Sequence, residues 1–244
     1  MRSGPNNIFV DGIADPALNV ECLAALPAKC GVLMQHSTHS VDVMAQTPKE
    51  QLLEILKEKS VCRGTFTLAS GARSDLYIDA KQTTGDPEAL ILIGRVGWQL
   101  VSQTAAALQT RVDSIGGLTI GADAIAFSIG IFSKLDDPSS TLQTFIVRKE
   151  AKTHGRHKLI EGNFSAGHSV VIVDDVITTG GSTLQAIDAI EAAGGNIAFV
   201  IVLVDRQEGG RENIEKRGHK VVPIFTRADL IGADARQRSH IAVA

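Results

Sequence analysis

Residues 170–185, VVIVDDVITTGGSTLQ, constrain the fold of this chain more strongly than any other stretch. Four apolar β-forming residues lead into two aspartates and then into a run of threonine, glycine and serine. In an open parallel sheet, ligands bind beyond the carboxyl ends of the strands, where loops pass into helices. The run at residues 178–182 can present backbone N–H groups and hydroxyl groups at a helix N-terminus, where the helix dipole also favours an anion. The stretch therefore predicts a buried strand, a phosphate-binding turn and a helix.

The two aspartates, Asp174 and Asp175, add a second requirement to this turn. Neighbouring residues of a strand point to opposite faces, and a turn that begins at Val176 would bring both carboxylates toward a ligand. Carboxylates beside a phosphate suit neutral hydroxyl groups, a divalent ion or a carbon that becomes cationic, and each of these suits the binding of a ribose phosphate. Alternatively, the pair only caps the turn and the glycines only close it. The turn has neither the GKS or GKT of a P-loop nor a GxGxxG fingerprint, which argues against nucleoside triphosphates and dinucleotides.

Several further apolar runs without strict alternation are separated by helical patterns, which is typical of a parallel sheet covered on both faces. Strands are predicted at LQTFIVRK, SVVIVDD and NIAFVIVLVD, and a pair of short strands at FTLASG and SDLYIDA. One helix is predicted from the capping box of Thr47 and Glu50, with Pro48 at its first position. Another is predicted over residues 87–108, with Ile91 among its inward residues. The predicted fold class is therefore α/β.

The first 46 residues differ from the rest of the chain. Their short apolar pieces are broken by prolines, and all three methionines of the chain occur there. We expect residues 1–46 to be an atypical N-terminal extension, flexible or weakly docked, and residues 47–244 to form the main domain. Met44 offers an alternative start, which mass spectrometry of the native N-terminus would decide.

The composition limits the partners and the location of the protein. A formal net charge of −3 gives no general attraction to nucleic acid or to an anionic membrane surface. The longest unbroken apolar run, residues 197–204, is far shorter than the roughly 20 residues of a membrane span. The three cysteines show neither a CxxC spacing nor a Cys/His metal pattern, which favours a reducing compartment. We therefore expect a cytoplasmic protein that binds neither nucleic acid nor membrane.

A polar segment after the predicted strand LQTFIVRK concentrates positive charge. Residues 148–158 contain only one acid, Glu150, among many basic side chains. Such a loop suits a diphosphate group, although a basic surface loop that is merely solvated has the same composition. The potential cations and proton donors are Arg148, Lys149, Lys152, His154, Arg156, His157 and Lys158.

Several motifs, in the same order along the chain, resemble those of one enzyme family. The strand, the acid pair and the TTGGS turn resemble the ribose-phosphate motif of the type I phosphoribosyltransferases, which bind phosphoribosyl pyrophosphate. The RKxxKxHG pattern of the basic segment is similar to the mobile catalytic loop of the orotate phosphoribosyltransferases in particular. FTLASGARSDLYIDA, VLVDRQEGG and GGLTIGADAIA match further stretches of that family. The resemblance extends from Thr47 to the region of Asp229.

This resemblance implies a type I phosphoribosyltransferase fold, in which helices flank a central parallel sheet beside a small N-terminal hood subdomain. It implies transfer of the ribosyl phosphate group from phosphoribosyl pyrophosphate to orotate, which gives orotidine 5-monophosphate and pyrophosphate in pyrimidine (UMP) biosynthesis. Residues 47–244 would form the orotate phosphoribosyltransferase domain. The implied cofactor is Mg²⁺, held largely by substrate oxygens and water. The implied assembly is a homodimer whose basic loop folds over the pyrophosphate in the active site of the partner.

The resemblance also assigns roles to individual residues. The threonine and glycine turn would hold the 5-phosphate, the acids would hold ribose hydroxyl groups, and no side chain is expected to ligate a metal. Catalytic roles are expected of Lys152, His154, Asp174 and Asp175. Substrate-binding roles are expected of Arg148, Lys149, Lys152, His154, Asp174, Asp175, Val176, Ile177, Thr178, Thr179, Gly180, Gly181, Ser182 and Arg206.

Arg206 corresponds to the family's arginine that pairs with the carboxylate of orotate. The planar fork of arginine fits a carboxylate better than the point charge of lysine does. Alternatively, Arg206 forms an ion pair with Asp205 or Glu208. In GGLTIGADAIA, whose glycines permit a close backbone approach to the pyrophosphate, Ile120 stands where some family members carry a lysine, so that contact is not expected.

Two other functions stay open on the sequence. The acceptor of the ribosyl group could be a purine or another pyrimidine. A non-catalytic regulator could retain the pocket to sense phosphoribosyl pyrophosphate, although the cationic loop is complete and the sequence contains no apparent helix-turn-helix or basic arm.

Overall fold

The computed structural model describes residues 46–67, 73–150 and 159–231. Residues 1–45, 68–72, 151–158 and 232–244 lie outside this part of the chain. They include the predicted extension, except for Gln46, and most of the predicted basic segment. The strands are β1 (Val61–Thr67), β2 (Arg73–Ile78), β3 (Ser114–Leu118), β4 (Gln143–Val147), β5 (Ile160–Gly162), β6 (Ser169–Ile177), β7 (Asn196–Asp205) and β8 (Val221–Thr226). The helices are α1 (Pro48–Ser60), α2 (Lys81–Thr84), α3 (Pro87–Ala107), α4 (Asp123–Asp136), α5 (Gly181–Ala192), α6 (Gly210–Glu215) and α7 (Arg227–Ile231).

The first helix begins where the sequence predicts it. Glu50 N donates a hydrogen bond to Thr47 Oγ1 at 3.3 Å, and Thr47 N donates one to Glu50 Oε2 at 2.7 Å, which completes the capping box. Leu52 and Leu56 on its apolar stripe are fully buried.

None of the described helices combines the length and the apolar character that a membrane crossing requires.

The central sheet has six strands in the order β5-β4-β3-β6-β7-β8. Strands β4, β3, β6, β7 and β8 are parallel, which confirms the predicted α/β fold class. The edge strand β5 pairs antiparallel with β4, with Ile160 opposite Val147, so the sheet is mixed rather than entirely parallel. The sequence does not predict this edge strand of three residues, because a strand so short carries no periodic signal.

Strands β1 and β2 form a separate antiparallel sheet, which corresponds to the expected hood. Strand β2 lies where a short strand is predicted, whereas β1 begins at Val61 and shares only residues 66 and 67 with the predicted strand FTLASG. Leu76 and Ile78 on β2 belong to the same hydrophobic core as α1 and α3. Arg63 Nη2 on β1 donates a hydrogen bond to Ile231 O at 3.3 Å. The hairpin is therefore held to the domain by both apolar packing and hydrogen bonding.

Side chains of β6 alternate between the two faces of the central sheet. Val171 and Val173 belong to the core that contains residues of α1, α3 and α4. Val170 and Ile172 belong to the core that contains residues of α5. Since consecutive strand residues point to opposite faces, the same alternation decides where the next two residues of β6 point.

The order of the strands reverses between β3 and β6. From β3 the chain continues outward to β4 and β5, and from β6 it continues in the opposite direction to β7 and β8. In open α/β sheets, ligands bind in the crevice that such a reversal leaves at the carboxyl ends of the strands. The fold therefore places a candidate site between the ends of β3 and β6.

Candidate active site

One wall of the crevice is the acid turn, defined as residues 174–182 at the end of β6 and the start of α5. Strand β6 continues to Ile177, so the predicted start of the turn at Val176 is wrong. Asp174 and Asp175 consequently stay within the strand, where their side chains point to opposite faces.

Asp174 faces α5 and is 5% exposed. Thr183 Oγ1 donates a hydrogen bond to Asp174 Oδ2 at 2.6 Å, and Asp175 N donates one to Asp174 Oδ1 at 3.0 Å. Burial raises the pKa of Asp174 to about 7; the hydrogen bond from Thr183 opposes this rise, and the charge of Asp175 adds to it. Both oxygens are thus engaged by neighbouring residues, and the charge of this carboxyl group changes near neutral pH.

Asp175 faces the loop between β3 and α4. A Cβ atom at Gly121 would lie 2.7 Å from Asp175 Oδ1, so glycine is the residue that fits against this carboxylate. Val176 N donates a hydrogen bond to Asp175 Oδ1 at 2.7 Å. Because Asp175 is half-buried whereas Asp174 is buried, Asp175 is the more accessible acid of the crevice.

Gly180, in the acid turn, is the residue that directly precedes α5. Gly180 has a φ of 83°, a left-handed conformation that glycine adopts without strain, and the first helical residue is Gly181. The first N–H groups of a helix have no acceptor within the helix, so this end of α5 suits an anion. Thr179, Gly181 and Ser182 are exposed, and Thr178 is half-buried.

Two residues predicted to bind substrate have side chains that pack into the core. Ile177 is buried, and Val176 packs against the core of the opposite face. Only their backbone groups are therefore available to a ligand in the crevice. Ile177 O already accepts a hydrogen bond from Arg206 N at 3.1 Å, which joins the ends of β6 and β7.

A second wall is the arginine turn, defined as residues 205–210 at the end of β7 and the start of α6. Arg206 is buried; its Nη2 donates a hydrogen bond to Leu76 O at 3.1 Å and lies 2.7 Å from Glu208 Oε1. Asp205 Oδ1 accepts a hydrogen bond from Gln207 N at 2.8 Å. The ion pair with Glu208, which the sequence left open as an alternative for Arg206, is therefore present.

The acid turn and the arginine turn pack against each other through glycine backbone. A Cβ atom on Gly180 would lie 2.9 Å from Gly210 O, and one on Gly210 would lie 2.5 Å from Thr178 O. Asn213 Nδ2 donates a hydrogen bond to Thr179 O at 3.0 Å. The position of the arginine turn is therefore coupled to that of the start of α5.

The loop between β3 and α4 is stabilised by a bond between its own side chains. Thr119 Oγ1 donates a hydrogen bond to Asp123 Oδ2 at 2.7 Å. Asp123 Oδ1 is buried and has no hydrogen-bond partner among the described residues, and burial raises the pKa of this carboxyl group. Ile120 on the same loop is exposed.

The end of β4 brings Arg148 and Lys149 to the same edge of the sheet. Arg148 Nη1 lies 3.4 Å from Glu161 Oε1. Lys149 O accepts a hydrogen bond from Gln185 Nε2 at 3.0 Å, which connects this end of β4 to α5. The remaining basic residues of the predicted loop lie outside the described residues: Lys152, His154, Arg156, His157 and Lys158.

Thr183 and Gly210 are residues of the site that sequence reasoning missed. Thr183 directly follows the predicted anion-binding residues, but the sequence does not show that its hydroxyl group turns inward to Asp174. Gly210 carried a clearer signal, because the pair Gly209 and Gly210 repeats the glycine pair of the acid turn after the next strand.

Known proteins resemble this chain in sequence and in structure. The family model for the phosphoribosyl transferase domain matches residues 83–230. The orotate phosphoribosyltransferase of Aquifex aeolicus (strain VF5) is 40% identical over 191 residues, which cover 77% of this chain and 100% of that protein. The crystal structure of Mycobacterium tuberculosis H37Rv orotate phosphoribosyltransferase in complex with Fe(III) dicitrate has a TM-score of 0.65 and 35% identity, with 76% of this chain and 100% of that chain covered. For its complex with 5-phospho-alpha-D-ribosyl 1-diphosphate, the TM-score is 0.61 and the identity 33%, with 75% and 99% covered.

Proposed function

This chain belongs to the orotate phosphoribosyltransferases, within the phosphoribosyl transferase domain family, and we propose that it transfers the ribosyl 5-phosphate group from phosphoribosyl pyrophosphate to N1 of orotate. The products are orotidine 5-monophosphate and pyrophosphate, a step of pyrimidine (UMP) synthesis. The observation that carries the proposal is that the start of α5 at Gly180 packs against the arginine turn, which holds the buried Arg206. These two groups would hold the two anionic ends of the reactants, the phosphate of the sugar and the carboxylate of the base.

We assign the ribose phosphate to the acid turn. Backbone N–H groups of residues 179–182 and the hydroxyl groups of Thr178 and Ser182 would bind the 5-phosphate. Asp175, the accessible acid, would accept hydrogen bonds from the ribose hydroxyl groups. Asp174 would act mainly by holding the turn, because both of its oxygens already accept hydrogen bonds.

Transfer breaks the bond between ribose C1 and the pyrophosphate oxygen as orotate N1 bonds to C1. Positive charge develops on the sugar and negative charge on the leaving group, so electrostatic stabilisation should dominate catalysis. Asp175 would lie beside the developing cation. Lys152, with Lys149, Arg148 and His154, would neutralise the departing pyrophosphate.

Mg²⁺ is part of this proposal. Within the described ranges, no group of three or more His, Cys, Asp or Glu side chains is arranged to hold a metal ion. Magnesium keeps several waters and is commonly bound together with substrate phosphates, so substrate oxygens and water would supply most of its ligands in the crevice. When bound, the ion would neutralise charge on the pyrophosphate.

We also propose a homodimer in which the basic loop acts in the partner's site. Phe127, Ile131 and Leu135 on α4 are 44%, 60% and 69% exposed, and their spacing of four residues places them on one face of the helix. Ile91 on α3, which the helical pattern predicts to face inward, is 59% exposed. Because α4 starts at the loop that contacts Asp175, a second copy packed on this face would lie beside the crevice.

A cytoplasmic location completes the proposal. Cys62 is an exposed free thiol, which suits a reducing compartment. The net charge of −3 gives no general attraction to nucleic acid.

The proposal is tested by incubating the purified protein with phosphoribosyl pyrophosphate and orotate, with and without Mg²⁺, while orotate absorbance is followed. We expect orotidine monophosphate to form in the presence of Mg²⁺. Parallel incubations with purines and with uracil address the other acceptors. Transfer to one of these bases but not to orotate would show that this base is the acceptor. Binding of phosphoribosyl pyrophosphate without transfer to any base would indicate a non-catalytic regulator.

Lys152→Ala tests the basic loop. Loss of one donor at a developing charge costs about 3–4 kcal/mol in the barrier, so turnover should fall by roughly two to three orders of magnitude with little change in substrate binding. Equal turnover in variant and parent would reject the role. Heterodimers of Lys152→Ala and Asp175→Asn subunits should recover activity if the loop acts across the dimer, and no recovery would assign the loop to its own subunit.

A further inference from the structure

Glu208 lies in the arginine turn, and the proposed reaction gives it no role. Glu208 Oε1 is 2.7 Å from Arg206 Nη2; the arginine side chain of this pair is 5% exposed and the glutamate side chain 30%. The same Nη2 donates a hydrogen bond to Leu76 O at 3.1 Å. Two acceptors on different elements, the arginine turn and strand β2, therefore hold one nitrogen of the guanidinium group.

Two fixed acceptors on one nitrogen determine the orientation of the whole guanidinium group, because that group is planar and its donors form a rigid fork. A carboxylate that binds this arginine meets the other donors of the guanidinium group, and the plane of the group fixes the directions of those donors. The orientation of Arg206 is therefore a property that a neighbouring side chain can control separately from its charge.

The backbone around Arg206 is itself fixed. Arg206 N donates a hydrogen bond to Ile177 O at 3.1 Å, and Gln207 N donates one to Asp205 Oδ1 at 2.8 Å. Gln207, the residue between Arg206 and Glu208, adopts a φ of 57°, which is a left-handed conformation. With the backbone held in this way, the length of the side chain at position 208 decides where its oxygen meets the guanidinium group.

We propose that Glu208 is a positioning residue for recognition of the base, and that its Oε1 holds the plane of Arg206 toward the carboxylate of the acceptor. This inference rests on the proposed function, in which Arg206 binds that carboxylate. Glu208 does not touch the reacting atoms, so it acts through Arg206. Its reach and its negative charge are separable properties, and reach is the one that recognition of the base requires.

Two conservative variants separate reach from charge. Glu208→Gln keeps the length of the side chain and its oxygen acceptor but removes the charge, whereas Glu208→Asp keeps the charge and is one methylene shorter. We expect KM for orotate to stay within about twofold of the parent value in Glu208→Gln and to rise about tenfold in Glu208→Asp. KM for phosphoribosyl pyrophosphate should stay within about twofold in both variants, because the acid turn is unchanged.

Glu215→Ala is the matched control, because it removes the carboxylate of the exposed Arg211–Glu215 pair, 2.9 Å apart, from the neighbouring helix. It should change neither KM. A parent-like KM for orotate in Glu208→Asp, a raised one in Glu208→Gln, or an equal rise in both substrates' KM values would overturn the inference. A parent protein that does not convert orotate would instead refute the proposed function, before any variant is compared.

Discussion

The acid turn and the arginine turn share a backbone conformation but carry different charged side chains. In each turn, a glycine in the left-handed region, Gly180 with φ 83° or Gly209 with φ 91°, directly precedes a helix that begins with another glycine. They follow the neighbouring parallel strands β6 and β7. The acid turn carries two carboxylates beside an exposed helix start, whereas the arginine turn buries a cation against Glu208.

The two turns share a backbone conformation but differ in the groups that they expose. Gly181 at the start of α5 is exposed, whereas Gly210 at the start of α6 is buried against the acid turn. The N–H groups of α5 can therefore reach an anion, while the arginine turn presents a side chain instead. One turn is suited to bind through its backbone and the other through its guanidinium group.

Arg206→Ala should have the largest effect and tests whether the arginine turn acts through its cation. Removal of one partner of a buried charge pair costs about 2–5 kcal/mol, so kcat/KM for orotate should fall by about three orders of magnitude. Initial rates at varied orotate concentration measure this loss. Arg211→Ala, in the exposed pair of α6, should leave the rates unchanged, and a loss of less than about tenfold in Arg206→Ala would contradict the comparison.

Asp175→Asn and Asp174→Asn test whether the two carboxylates of the acid turn have different roles. A hydrogen bond to a charged group contributes about 1.5–3 kcal/mol, so Asp175→Asn should lower kcat/KM for phosphoribosyl pyrophosphate by about two orders of magnitude. Asp174→Asn should lower it by less than about tenfold, because Asp174 is bound by Thr183 rather than open to the crevice. The reverse order of the two variants would show that the buried acid is the one that contacts the sugar.

The raised pKa of Asp174 predicts that the acid turn makes stability depend on pH. Its pKa is raised from 3.8 to about 7 in the folded chain, so the folded state binds the proton more tightly than the unfolded state. The stabilisation is fully present below pH 3.8 and is lost as pH rises through about 7, by at most about 1.4 kcal/mol for each pH unit. Urea unfolding between these limits should show a flatter dependence for Asp174→Asn than for the parent, and parallel curves would contradict the assignment.

Gly180→Ala and Gly209→Ala compare the two turns at the same backbone position, with the smallest expected difference. Both residues have positive φ, where a Cβ atom costs about 1–2 kcal/mol. A Cβ atom on Gly180 would also lie 2.9 Å from Gly210 O, whereas one on Gly209 would meet nothing within 4 Å. Urea unfolding should therefore find Gly180→Ala less stable than Gly209→Ala by about 1 kcal/mol, and equal losses would show that the contact between the turns adds no constraint.

Much of the fold could be predicted because its signals are local. The capping box at Thr47 and Glu50, the apolar run of β6 and the short strands of the hairpin each follow from a few neighbouring residues. Strand β5 could not be predicted, because its three residues are too few to show a periodic pattern. The exposure of Ile91 could not be predicted either, because a helical pattern does not show which apolar face stays open.

The candidate site was predicted in its residue types more than in its contacts. The sequence predicted that the acid turn would carry two carboxylates and a glycine-rich helix start, and the structure contains both. It did not show that β6 continues past the acids to Ile177 and so separates their carboxylates. Nor did it reveal the contact of Gly121 with Asp175, because that contact joins the ends of two strands that are adjacent only in the folded sheet.

The central claim is that the acid turn binds the 5-phosphate of the sugar while the arginine turn faces the base. A crystal structure of this chain with phosphoribosyl pyrophosphate and orotate tests it most directly. We predict 5-phosphate oxygens within hydrogen-bonding distance of the backbone N–H groups of residues 179–182, and the orotate carboxylate at the guanidinium group of Arg206. A 5-phosphate bound away from the start of α5, with the orotate carboxylate remote from Arg206, would contradict the account.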